Sequence, residues 1–325
     1  MDTCISERVV TTSRGSSAAA EGVDEPSVYG FRVRCDQDLR FLRSGQGVET
    51  LQILTASAPR SRPNIEPLAD WAIAGTSYDA RATLYRVDDG FEFWTTDTGA
   101  YHIDPVSGRI EIPAECGDIL REQRLWGIPT MLCYMHRGDF PLHAAAVQIG
   151  SGAVLLAAPS KFGKTTLAFA FHRRGYRVLS EDLVCCRASA TCEVLPGPAL
   201  MRLRPDVFDG GVPPGTLVMH RQADRLYLAP EPGCRGTSGP VPIVGIVFLR
   251  ESTDGVRIER AAPAVALADL WHLNFRVPAR EHRARSFEQL AKLAGSVSSW
   301  NVYRPFQLSL LEETVTLLAT HFGNA

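Results

Sequence analysis

The sequence has no apolar run approaching the ~20 residues that a membrane-spanning helix needs; its longest runs, such as 241–249, fall far short. Its first residues lack the apolar core of a signal peptide. No charge of one sign dominates: 34 Lys+Arg against 36 Asp+Glu leave a formal charge of -2, so no basic field makes nucleic acid the default partner. The eight cysteines include no CxxC pair, and no histidine pair has zinc-finger spacing. Adjacent Cys185 and Cys186 would point to opposite faces of a strand, so with Cys192 they read as core packing rather than as a metal site. No repeat with a period of roughly 20 to 50 residues is evident. The expectation is a soluble, unexported chain with reduced thiols in the cytoplasm, without a membrane or nucleic-acid partner.

What is present is enough for a sizeable core: 325 residues, 45% of them apolar, suggest about two domains. Residues 1–27, rich in Ser, Thr, Ala, Gly and acids, read as a disordered tail. Residues 28–126 read as a small β-rich N-terminal domain, with alternating segments at 28–33, 82–87, 91–95 and 109–112 between turn signals. Helical spacing runs from 118 to 135 despite Pro129. Residues 127–325 read as an α/β domain. Two buried strands, 142–149 and 153–158, form a hairpin across Gly-Ser-Gly, followed by a loop, a helix over 165–175 and a strand over 176–180. A right-handed crossover would make the strands before and after that helix parallel. Further strands are expected at 193–195, 200–203, 225–228, 243–249 and 256–260, and helices at 264–273, 287–294 and 310–322.

The loop carries the chemistry. Ala158-Pro159-Ser160-Lys161-Phe162-Gly163-Lys164-Thr165-Thr166 meets the phosphate-loop pattern G-x-x-x-x-G-K-[ST] except that Ala158 replaces the first glycine. Backbone N–H groups at a helix start would hold phosphate oxygens, and Gly163 permits close approach. Lys164 would bridge the outer phosphates, and Thr165 would offer its hydroxyl to magnesium. Lys161 either adds a phosphate contact or faces solvent. A fortuitous G-K-T-T at a helix start is the plainer alternative; the strand before and helix after favour a nucleotide site over 160–166.

Glu181-Asp182 follow the strand 176–180, where ligands collect in open α/β sheets. Phosphoryl transfer to a hydroxyl needs neutralised phosphates, in-line placement and a carboxylate for the hydroxyl proton. Asp182 is assigned to the magnesium shell and Glu181 to the proton, the reverse staying open; a solvated acidic turn is the plainer reading. His143, beside an apolar strand, reads first as a hydrogen-bonded core residue. Arg276, Arg280, His282, Arg283 and Arg285 read as a solvated basic helix face before a phosphoryl-binding one, and Arg202, Arg204 and Arg225 are further candidates near strand ends.

The runs L-H-A-A-A-V from Leu142, A-P-S-K-F-G-K-T-T-L-A and R-R-G-Y-R-V-L-S-E-D-L make the chain resemble the HPr serine kinase/phosphorylase-like proteins, which share a nucleotide-binding core with phosphoenolpyruvate carboxykinases. It is most similar to HPr-kinase-related bacterial proteins with an N-terminal β-rich domain, some of which occur beside lasso-peptide biosynthesis genes and phosphorylate a precursor peptide. The resemblance is specific over 141–204 and general elsewhere. It implies a P-loop α/β C-terminal domain with a smaller β-rich N-terminal one, ATP and Mg2+ as cofactors, self-assembly, and transfer of the γ-phosphoryl to a hydroxyl, a serine of a peptide or small protein. Ser160, Gly163, Lys164 and Thr165 match the family's loop, His143 its histidine near the metal or terminal phosphate, and Glu181-Asp182 its acidic pair. Ala158 and Lys161 replace usual loop glycines, and Glu181 replaces an Asp. An ATPase or small-molecule phosphotransferase, or a nucleotide-binding regulatory module without turnover, are the alternatives.

Overall fold

Short segments that alternate buried and exposed side chains, joined by tight turns, build the first third of the chain as sheet. The computed structural model describes residues 25–45, 47–73, 79–114, 118–207, 211–236, 239–277 and 280–323, the side chains of 280–282 excepted. The first nine strands are β1 (Glu25–Val28), β2 (Phe31–Cys35), β3 (Arg43–Gly45), β4 (Glu49–Thr55), β5 (Ala69–Ala72), β6 (Arg81–Val87), β7 (Gly90–Thr95), β8 (Gly99–Asp104) and β9 (Arg109–Ile112). They form one sheet in the order β3-β1-β2-β4-β9-β8-β7-β6-β5, parallel where β4 meets β2 and β9. Of the tail expected over 1–27, residues 1–24 lie outside the described ones. Its last residues are strand, because Ser27 and Val28 are fully buried where β1 pairs with β2 and β3.

The helical spacing over 118–135 resolves into two helices, α1 (Asp118–Leu125) and α2 (Ile128–Arg137). Pro129 has no N–H to donate, so it starts a helix rather than continuing one. Leu125, Trp126, Met131 and Tyr134 pack with Phe31, Ile53, Leu84 and Ile110 of the sheet. The same core takes in Cys185, Leu195, Leu200 and Tyr227 from later in the chain, so the N-terminal sheet is joined to the rest by shared apolar burial. The line expected between 126 and 127 falls in the break between these two helices.

The remaining elements are β10 (Phe140–Leu142), β11 (Ala144–Ile149), β12 (Gly152–Ala157), α3 (Lys164–Arg173), β13 (Arg177–Ser180), β14 (Val184–Ala188), β15 (Cys192–Leu195), β16 (Met201–Leu203), β17 (Thr216–Arg221), β18 (Leu226–Pro230), β19 (Val241–Glu251), β20 (Arg257–Arg260), α4 (Pro263–Leu273), α5 (Arg280–Ser296), β21 (Ser299–Arg304) and α6 (Leu311–Phe322). A second sheet runs β10-β14-β15-β19-β12-β11-β13, with β21 beside β19 and β20 beside β21; β16, β18 and β17 form a small third one. Successive residues of β11 and β12 serve opposite faces. Ala144, Ala146 and Leu155 meet Leu270, Leu290 and Leu293 of α4 and α5; Ala145, Val147 and Leu156 meet Leu167, Phe171 and Leu318 of α3 and α6. Burial on both faces explains why these strands read as continuous apolar runs. The architecture is mixed α/β.

The crossover through α3 leaves β12 and β13 parallel but not adjacent, because β11 lies between them and runs antiparallel to each. The parallel neighbour of β12 is β19, which in turn pairs parallel with β21. The carboxyl ends of β12, β13, β19 and β21 and the amino end of β11 therefore open on one side of the sheet. Among the described residues no helix is long and apolar enough to cross a membrane. Cys185 and Cys186 enter different cores, as neighbours on a strand must, while Cys4 and Cys116 lie outside the described residues.

Candidate functional site at the carboxyl edge of the sheet

The loop between β12 and α3 turns sharply at two left-handed residues, Lys161 with φ 70 and Gly163 with φ 81. Glycine adopts that conformation freely; for lysine it costs about 1–2 kcal/mol. Ala158 is buried, and its φ is not positive, so the missing first glycine leaves no strain. Gly163 caps α3, whose first turn contains Lys164, Thr165 and Thr166. Ser160 and Lys161 are exposed, and Phe162 is half-buried with its ring edge-on to Phe306 at 5.4 Å.

Lys164 is buried and turned back onto its own loop. Its Nζ donates to the carbonyls of Ala158 at 2.7 Å and Pro159 at 3.0 Å, and lies 3.0 Å from His143 Nε2. Burial pulls its pKa down, with Asp182 and Glu181 working the other way. Since the ammonium can only donate, Nε2 accepts and His143 carries its proton on Nδ1, which lies 3.3 Å from Asp182 Oδ1. A chain of contacts thus runs Lys164 to His143 to Asp182. Ser160 Oγ stands 3.4 Å from the same Nε2.

The two acids differ. Glu181 is buried and accepts a hydrogen bond from the Thr165 hydroxyl; burial pushes its pKa up, against the pull of Arg202. For Asp182 partial desolvation acts in the same direction, but Arg202, His143 and Lys164 outweigh it and hold the carboxyl well below its usual range. Arg202, on β16, ties the pair together: Nη2 donates to Asp182, and Nε lies 3.5 Å from Glu181. Its single positive charge offsets one carboxylate, and the shifts run accordingly: the nearer acid stays ionised and the buried one leans toward its neutral form.

His143, Lys164, Thr165, Glu181 and Asp182 therefore come together, with Arg202 as the arginine among the candidates that joins them. Arg204 sits exposed near Asp206, Arg225 donates to the Asp224 carbonyl, and Arg276 stacks on Trp271 at 4.1 Å. Arg283 and Arg285 are exposed; the side chains of Arg280 and His282 lie outside the described residues. Sequence reasoning missed Arg304. It ends β21, is 3% exposed, and donates from Nη2 to the Phe162 carbonyl at 3.2 Å, while its buried Nε has no partner among the described residues. Burial lowers its pKa. A basic residue closing a strand at the carboxyl edge was the available signal, but β21 itself was not expected.

Among the described residues no cluster of three His, Cys, Asp or Glu side chains could hold a metal ion. A magnesium ion asks less of the protein, one or two carboxylates beside substrate phosphates, and the Thr165 hydroxyl against Glu181 supplies hard oxygen donors of that kind. No protein-family model matches the chain, and no curated protein matches it. Among solved structures it is similar to the Hpr(Ser) kinase/phosphatase from Coxiella burnetii, at 12% identity over 56% of this chain and 95% of that one, with a TM-score of 0.31. That is a distant structural likeness, and the functional reading rests on the residues.

Proposed function

We propose that the chain is a phosphotransferase that moves the γ-phosphoryl group of Mg-ATP to a hydroxyl, a serine of a peptide or small protein. One observation carries the reading: a buried lysine at a glycine-turned helix start shares a hydrogen-bonded edge with two carboxylates of unlike character. In binding a triphosphate, Lys164 exchanges the carbonyls of Ala158 and Pro159 for phosphate oxygens, and the N–H groups opening α3 face the same anion. Thr165 and Glu181 would hold the magnesium ion, which when bound neutralises phosphate charge. Asp182, ionised and joined to His143, receives the acceptor proton. The acceptor oxygen bonds to the γ-phosphorus, the bond from that phosphorus to the bridging oxygen of ADP breaks with its electron pair, and the proton passes to Asp182. In a loose transition state the attacking oxygen gains charge late, so a well-placed carboxylate serves despite its low basicity. These roles exchange the two acids relative to the order expected from the sequence, because Thr165 contacts Glu181 and His143 contacts Asp182.

A second reading, ATP hydrolysis without an added acceptor, is favoured by one feature: the Asp182 side chain is 46% exposed, so water reaches it. Incubation with γ-labelled ATP, magnesium and a panel of hydroxyl acceptors tests both, with Lys164→Ala as the control. We expect transfer to seryl acceptors and a loss of roughly a hundredfold or more in the variant. Equal rates in variant and wild type would refute the assignment, and phosphate release unaffected by any acceptor would select hydrolysis.

A further inference from the structure

Beside the acidic pair lies a cleft of about 70 Å³ that none of the residues 158–166 lines. One wall is Glu181, Asp182 and Arg202; the other is Tyr29, Gln123, Trp126 and Gly127, from the first hairpin, the end of α1 and the α1–α2 break. Resting on the phosphotransferase reading above, we propose that this cleft is the acceptor site, that it admits a short hydroxyl-bearing side chain projected from a peptide, and that the N-terminal wall selects it.

Three observations carry this. The first is position. Glu181 both accepts from Thr165 of the loop and lines the cleft, so the carboxylates are shared by the phosphate loop and the cleft. In-line displacement needs the acceptor and the leaving group on opposite sides of the moving phosphoryl. The second is size. A cavity measured this way needs only about 10–15 Å³ to hold a water, so the cleft has room for a CH2OH group. A sugar or a whole small-molecule substrate needs a pocket of about 300 Å³ or more, and a cavity that takes an aromatic ring is about 150 Å³, so a phenol is also too large. The rest of the acceptor must stay outside, as the backbone of a peptide does.

The third is construction. Tyr29 and Gly30 form the two-residue turn between β1 and β2, with φ 50 and φ 74. Such turns favour Asn or Gly at the first position, and a bulky aromatic there is held only if its surroundings over-determine it. Here they do. The Tyr29 hydroxyl faces the Trp126 carbonyl at 3.2 Å and the Leu183 carbonyl at 3.4 Å, its N–H donates to Pro196, and Arg137 donates to its carbonyl at 2.6 Å. The strained tip therefore fixes the α1–α2 break against the residue that follows Asp182. Half-buried Gln123 adds an amide at the rim, a donor and an acceptor suited to a peptide backbone.

The test uses the full chain, γ-labelled ATP with magnesium, and three sets of short randomised peptides with Ser, Thr or Tyr fixed at the centre. Wild type should label the Ser set, Thr less, and Tyr not at all. Gln123→Phe, which fills the cleft from a helix surface, should raise KM for the Ser set about tenfold or more, with ATP-induced stabilisation unchanged. Gln123→Ala, which leaves the cleft open, should raise it less. Equal labelling of the Tyr set, or wild-type KM in Gln123→Phe, would overturn the cleft as acceptor site while the nucleotide reading stands; ATP binding with no peptide set labelled would do the same. Absence of any ATP-induced stabilisation in wild type would instead remove the phosphotransferase reading, and the proposal with it.

Discussion

Replacing Gly163 by alanine should strike two separate parts of the loop at once. At φ 81 an alanine pays the left-handed penalty, about 1–2 kcal/mol. Its methyl would also stand 2.4 Å from Arg304 Nη2. That guanidinium is 3% exposed and bonds the Phe162 carbonyl, so moving it forfeits a charge-assisted hydrogen bond worth about 1.5–3 kcal/mol. The single variant should therefore lose roughly 2.5–5 kcal/mol of unfolding free energy. In an Arg304→Ala background the clash has no partner, and only the backbone part, about 1–2 kcal/mol, should remain. Urea unfolding of wild type, both single variants and the double variant closes the cycle, with an interaction energy of about 1 kcal/mol or more. The same cost for Gly163→Ala in both backgrounds would show that Arg304 does not brace the loop.

Other consequences are as specific. Lys161→Gly should change stability by less than about 0.5 kcal/mol, relief of left-handed strain offsetting glycine's chain entropy, whereas Lys161→Val should destabilise, because a β-branched side chain tolerates positive φ less well than the lysine it replaces; urea midpoints in the reverse order would contradict the φ 70 reading. Activity should fall on the acid side as Glu181 protonates at a pKa raised above 4.5, and on the alkaline side as Lys164 loses its proton at a pKa lowered from 10.5. Asp182, held ionised, adds no acid limb, so Glu181→Gln should lose the acid limb along with most of its activity; a variant that kept it would assign that limb elsewhere. Tyr29→Phe removes the hydroxyl facing Trp126 and Leu183 and should cost about 1 kcal/mol, read as a fall in Tm; an unchanged Tm would mean that the hydroxyl does not hold the two parts together.

The loop and the acids were legible because their signals are local. The pattern over 158–166 sits between an apolar strand and a helix start, and Glu181-Asp182 follow the next strand, so one short stretch of sequence contains most of the candidate site. What was not legible depends on pairing between distant segments. Nothing near 153–180 says that β11 lies between β12 and β13, and that insertion is what sets His143 beside Asp182. Arg304 reaches the loop only because β21 lies parallel to β19. Tyr29 meets Leu183 across 154 residues of sequence. The break at Trp126-Gly127 was hinted at by Pro129, yet the apolar spacing on either side of it is continuous, and spacing alone reads through such a break.

The central claim is that the loop over 158–166 holds a polyphosphate. Thermal unfolding with ATP and magnesium at about a hundred times Kd should stabilise wild type by about 2.7 kcal/mol, raising Tm on the order of 5 °C, while Lys164→Ala should show little or no rise. No rise in wild type, or an equal rise in both proteins, would contradict the account.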